Sequence, residues 1–212
     1  MTKKIVAFFV CAMVIFIAAC SNTAETKLAA IKASIISIML EYPSTITECV
    51  GVAISKDGYI LTTAHIFKGE YEYSDISIYC TINESKYAAD IICIDRQKDL
   101  ALIKCSQTLD SVITFSNIES YAGEKIKVAT STLNKGNNVD GVVINDKQII
   151  NYATYKRELL SINACLSLGY SGSPLVDRHG NAIGIISAKK ITDETTFFAI
   201  KSDTIIDFLE GV

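Results

Sequence analysis

One serine and two histidines carry most of what this chain says about chemistry. The stretch "LSLGYSGSPLVD" (166–177) crowds small residues around Ser171 and then turns apolar. A serine at its free pKa is a poor nucleophile and needs an adjacent base. Imidazole titrates near neutrality and can take that proton and give it back. His65 ends an apolar run, "GYILTTAH", whereas His179 stands beside a glycine in "DRHGN" and reads as a hairpin-turn residue. A base of this kind also needs an acid to hold one tautomer and to stabilise the imidazolium. Asp99 stands just before the apolar run "LALIKC". Taken singly, His65 is a core histidine and Asp99 a strand-start turn residue. Taken in chain order, His65, Asp99 and Ser171 supply base, orienting acid and nucleophile, 34 and then 72 residues apart. That is the equipment of acyl transfer.

Such a set works only if the fold brings distant segments together. Short runs rich in Ile, Val, Thr and Tyr begin at residue 34: 34–41, 49–55, 59–64, 75–82, 87–94 and 100–105. After a connector, Ser106 to Gly123, come 125–131, 138–145, 148–154, 158–164, 173–177, 182–188 and 196–200. Turn signals such as Lys56-Asp57-Gly58 and Arg178-His179-Gly180-Asn181 separate them, which predicts an all-β sandwich or barrel. Only 202–211 reads as a helix, with Ser202 or Asp203 as cap, an apolar face of Ile205, Ile206 and Leu209, and Gly211 at its end.

The chain of 212 residues is about one domain long, half hydrophobic, with net charge −3 and pI about 5.4. Neither the charge nor any basic run suits nucleic acid. Lys3 and Lys4 precede an unbroken apolar run from Ile5 to Ala19, a signal-peptide core that is short for a membrane span. It ends in Ile17-Ala18-Ala19-Cys20, which resembles the lipobox of bacterial lipoproteins. The resemblance implies a signal over 1–19, lipidation of Cys20 and a domain held outside the cytoplasm, in the periplasm or at the cell surface. Removing 1–19 takes away two lysines and no acids and moves the charge from −3 to −5. Residues 20–27 read as a polar tether and 28–32 as a turn or two of helix.

Five cysteines remain: Cys49, Cys80, Cys93, Cys105 and Cys165. An exported domain permits disulfides, but connectivity does not follow from sequence. Cys80, Cys93 and Cys105 sit in apolar runs, where free thiols pack as small hydrophobes. No CxxC pair or His/Cys cluster points to zinc. The chemistry calls for no metal and no cofactor.

Three segments, in order, resemble the trypsin-like serine proteases, most closely the bacterial HtrA/Deg branch. They are "GVAISKDGYILTTAH", "DLALIK" and "GYSGSPLVDRHGNAIGI", followed by Phe198-Ala199-Ile200 before the terminal helix. The resemblance spans about Ala30 to Leu209. It implies two six-stranded antiparallel β-barrels within a domain 28–212, one over about 34–105 and one over about 124–200, with a short helix at about 202–210. It implies a serine endopeptidase acting on proteins, such as unfolded exported ones, with His65, Asp99 and Ser171 as triad and the N–H groups of Gly169 and Ser171 as oxyanion hole. The backbone of Ser187–Lys189 would line the cleft, and Cys165 with Phe197–Ala199 would border the pocket for the residue before the scissile bond. With no acid at 165, a preference for Arg or Lys is not implied; a small or medium apolar residue is.

The chain departs from the family pattern beside the nucleophile. Tyr170 replaces Asn or Asp, and Ser173 replaces a glycine. These two residues are the basis for the alternative of a protease-like binding or scaffold protein. An α/β-hydrolase is excluded: its G-x-S-x-G motif fails at Ser173, its histidine must follow the serine, and its helices are missing.

Overall fold

The structure, a computed structural model, describes residues 23–69, 71–130, 138–152, 154–167 and 169–212. The signal segment and Cys20 lie outside them. Residues 23–33 are helical (α1), so the helix takes in most of the segment read as a tether.

Twelve strands form two closed antiparallel barrels. The first contains β1 (Ile35–Glu41), β2 (Ile46–Ala53), β3 (Tyr59–Thr63), β4 (Ser77–Ile82), β5 (Ser85–Asp95) and β6 (Leu100–Cys105), in spatial order 1-2-3-6-5-4. The second contains β7 (Lys125–Val128), β8 (Val139–Asn151), β9 (Lys156–Ala164), β10 (Pro174–Asp177), β11 (Ala182–Lys189) and β12 (Thr196–Lys201), in order 10-11-12-9-8-7. Helix α2 (Ser202–Glu210) follows directly.

The apolar runs at 138–145 and 148–154 are one strand, not two. Register shifts around Asn145 and between Asn145 and Gln148 let β8 carry the polar insert Asn145-Asp146-Lys147 as bulges while it stays paired to β9. At α2 the N-cap is Lys201, without a side-chain capping bond, and the buried apolar face is Ile205 and Phe208.

Strand alternation explains how the barrels stay together. A strand points successive side chains to opposite faces. Along β2, Cys49 and Ala53 join the interior of the first barrel, while Val50 and Val52 join a core shared with the second. Along β6, Ala101, Ile103 and Cys105 point inward and Leu100 and Leu102 outward. The shared core also takes Leu159, Val176, Ile185 and Ile200 from the second barrel, Ile205 and Phe208 from α2, and Ile31 from α1. A third cluster, drawn from β7 to β12, fills the second barrel. Both-face burial therefore reads as unbroken apolar sequence, as in "LALI" (100–103).

All five described cysteines are free thiols. Cys49, Cys80 and Cys105 are buried, Cys93 is partly buried and Cys165 is exposed. Burial pushes the Cys49 thiol up to about 12, so it stays protonated and unreactive at neutral pH.

Candidate active site

His65 lies in a single 3-10 turn, Ala64–Ile66, that ends β3. Asp99 closes the turn between β5 and β6, one residue before Leu100. Ser171 sits in the loop from β9 to β10. The two barrels thus contribute opposite sides of one cleft, and the three side chains meet there. His65 Nδ1 lies 3.0 Å from Asp99 Oδ2 and 3.2 Å from Oδ1, and His65 Nε2 lies 3.1 Å from Ser171 Oγ. The backbone N–H of His65 also donates to Asp99 Oδ1, at 2.9 Å.

Asp99 is 2% exposed. Burial alone would push its carboxyl up. The hydrogen bond and charge of His65, the hydroxyl of Ser187 at 2.5 Å and the Arg157 cation together outweigh that and hold it below its ordinary value. The carboxylate therefore stays ionised beside the imidazole. With Nδ1 donating to it, Nε2 is left as the acceptor facing Ser171. Asp99 also has φ +61, the left-handed region that side-chain-bearing residues avoid. It is fixed there by its own carbonyl, which accepts from the Ala64 N–H at 3.0 Å.

The nucleophile loop is tied at both ends. Gly172 N–H donates to Ile186 O at 2.8 Å, Ile186 N–H donates to Ser173 O at 2.9 Å, and Ser173 N–H donates to Tyr170 O at 2.9 Å. Val50 N–H, from the first barrel, donates to Ser171 O at 3.3 Å. Gly169 has φ +96, and among the described residues nothing lies within 4 Å of where a β-carbon would stand. Among the described residues, neither the N–H of Gly169 nor that of Ser171 meets an acceptor. Tyr170 is partly buried against the core of the second barrel. Ser173 is fully buried, and its hydroxyl has no partner among the described residues.

A cavity of about 510 Å³ opens beside these groups. Ser167, Gly169, Tyr170, Ile186 to Lys189 and Phe197 line it, together with Arg96, Tyr152, Tyr155 and Arg157. Ser187–Lys189 and Phe197 are among its lining residues. Cys165 is exposed and, like Ala199, lies off the cavity wall. Among the described residues, the one acid on that wall is Asp99, already engaged by His65. Two contacts have no signal in the sequence reading: the Ser187 hydroxyl on Asp99, and the cluster of Arg157 with Tyr152 and Tyr155 in the cavity lining. Among the described residues, no group of three His, Cys, Asp or Glu side chains is arranged to hold a metal ion.

Two antiparallel six-stranded barrels with an Asp–His–Ser chain of hydrogen bonds in the cleft between them have the architecture of the trypsin-like serine peptidases. A family model described as the trypsin-like peptidase domain matches residues 49–185, and the chain belongs to that family. Serine protease HTRA4 of Homo sapiens is 28% identical over 165 residues, 75% of this chain and 33% of that protein. The magnetosome formation protease MamE of Magnetospirillum gryphiswaldense is 29% identical, over 65% of this chain and 18% of its own length. The chain thus spans a third or less of these curated relatives. Among solved structures, the active form of the Rv3671c protease from M. tuberculosis superposes with a TM-score of 0.75 at 20% identity, over 91% of this chain and 85% of that one. Its inactive form gives 0.71.

Proposed function

We propose that the chain is a serine endopeptidase that cleaves proteins through an acyl-enzyme. One observation carries this reading: an unbroken line of contacts from a buried, ionised Asp99 through His65 to Ser171 Oγ. In the first step Ser171 Oγ bonds to the scissile carbonyl carbon as its proton passes to His65 Nε2. The oxyanion formed accepts hydrogen bonds from the free N–H groups of Gly169 and Ser171. The C–N bond then breaks, and His65 gives its proton to the leaving amine. Water then attacks the ester carbonyl as His65 takes one of its protons; the C–O bond to Ser171 breaks, and His65 hands that proton to Ser171 Oγ.

The domain takes in residues 28–212, and it is exported and held at a membrane through lipidated Cys20; the N-terminal motif supports this part of the proposal. Misfolded exported proteins are the substrate class that the family analogy favours. Among the described residues, no helix is long and apolar enough to cross a membrane. Among the described residues, the cavity has no unengaged acid on its wall, which favours a small or medium apolar residue before the scissile bond.

The test is active-site labelling with a fluorophosphonate. The wild-type mature protein is expected to label, and His65→Ala and Ser171→Ala to stay unlabelled. If wild type fails to label and digests unfolded casein no better than Ser171→Ala, the chain is a protease-like binding protein instead. Profiling of casein cleavage sites is expected to give Ala, Val and similar residues at that position; a majority of Arg or Lys would overturn the specificity reading.

A further inference from the structure

Arg157, the second residue of β9, is only 12% exposed in its side chain and spends every nitrogen of its guanidinium within the protein. Its Nε donates to Gln97 O at 2.7 Å and its Nη2 to Arg96 O at 2.6 Å. Nη2 also reaches the Tyr155 hydroxyl at 3.1 Å, and Nη1 the Tyr152 hydroxyl at 3.2 Å. The guanidinium lies 4.7 and 5.3 Å from the centroids of those two rings, which are stacked on each other. Nη1 stands 3.8 Å from Asp99 Oδ2. A cation so engaged is not available to grip a substrate, although it lines the cleft.

What it grips is the turn that carries Asp99. The two carbonyls it holds belong to the residues three and two positions before Asp99. Inside that turn, Asp95 Oδ1 accepts from the N–H groups of Gln97 and Lys98, both at 2.8 Å. At its edge, Lys98 Nζ pairs with Asp207 of α2 at 2.6 Å. The turn ends in the left-handed conformation of Asp99, with φ +61. From there, one carboxylate must satisfy the His65 backbone, the His65 ring and Ser187 together. A rigid fork that bonds two carbonyls of the turn while its charge faces the carboxylate does both jobs, and lysine offers no equivalent geometry.

We propose that Arg157 is a positioning residue for catalysis, acting through Asp99 from the opposite barrel. This rests on the reading of His65, Asp99 and Ser171 as a triad. The experiment measures fluorophosphonate labelling as separate kinact and KI in wild type, Arg157→Met, Asp99→Asn and the double variant. Arg157→Met is expected to lower kinact about tenfold, a coupling within the range of interacting neighbours, and to move KI less than threefold. In the Asp99→Asn background the same substitution is expected to cost less than twofold, since the group it acts on has already gone. A merely structural role would instead lower kinact by the same factor in both backgrounds, and that result overturns the proposal. So does a loss confined to KI, which would make Arg157 a substrate-binding residue, or an unchanged kinact. Should Arg157→Met fail to fold, Arg157→Lys carries the same cycle, with about a threefold loss expected because charge is kept and the fork is not. If wild type does not label, the triad reading fails and this proposal with it; if wild type labels and the cycle is additive, only this proposal fails.

Discussion

Asp99→Asn is expected to lower kcat about 10⁴-fold while leaving the fold in place, the loss expected when the acid of such a triad becomes an amide. The geometry gives the reason. Asp99 receives three donors: the His65 N–H, the His65 ring and the Ser187 hydroxyl. A carboxylate accepts them all, whereas an amide has one acceptor oxygen and an NH₂ that must itself be accepted. The oxygen can keep the backbone N–H, and Ser187 can turn its hydroxyl to accept. The His65 ring then faces a donor, which favours the tautomer with Nδ1 bare and the proton on Nε2. That nitrogen faces Ser171 at 3.1 Å and can no longer take its proton. Asparagine also tolerates the φ of +61, so the effect falls on chemistry and not on folding. Casein hydrolysis read beside a thermal melt checks both halves. A kcat within tenfold of wild type would remove Asp99 from the mechanism.

Gly172→Ala is expected to have the largest effect on stability. Gly172 has φ +86, and a β-carbon there would stand 1.9 Å from Val50 O and 3.2 Å from Thr62 Oγ1. Both neighbours are fixed, since Thr62 Oγ1 donates to that same carbonyl at 2.8 Å. The added methyl must lift the nucleophile loop off β2, losing the bond from Val50 to Ser171. The left-handed conformation adds about 1 kcal/mol or more for any residue with a side chain. Together a loss of about 3–5 kcal/mol is expected, the range of severe single substitutions. For a domain of this size, that lowers Tm by roughly 6–20 °C. Gly169→Ala is the control. Its φ is equally unfavourable at +96, but the space around it is open, so Tm is expected to fall by only about a third as much. A Gly172→Ala protein that melts with wild type would show that this loop is not packed on β2 as described.

Much of this architecture was legible because the physics that builds it is local. Each barrel strand except β8 appears as its own apolar run, since burial on one or both faces leaves a direct mark on residue type. The segments around His65, Asp99 and Ser171 each hold their role within a few neighbours. What stayed hidden depends on groups far apart in sequence. Arg157 looks like one more charged residue on a half-exposed strand, and its carbonyl partners lie 60 and 61 residues away. The Ser187 hydroxyl reaches a carboxylate 88 residues upstream. Strand β8 was divided in reading because Asn145-Asp146-Lys147 has the composition of a turn, and only pairing with β9 carries the chain straight through it. Tyr170 and Ser173, the two departures beside the nucleophile, sit within a loop hydrogen-bonded to β11, so its backbone accommodates both.

The division of the reacting groups between the two barrels governs when the chain can begin to act. A chain emerging N-terminus first presents the residues proposed as base and acid by residue 105, with nothing for them to activate. The serine arrives 106 positions after the histidine, and Val50, which braces its loop, has long since emerged. Until the second barrel closes on the first, an emerging chain holds an inert half, harmless to itself and to its neighbours.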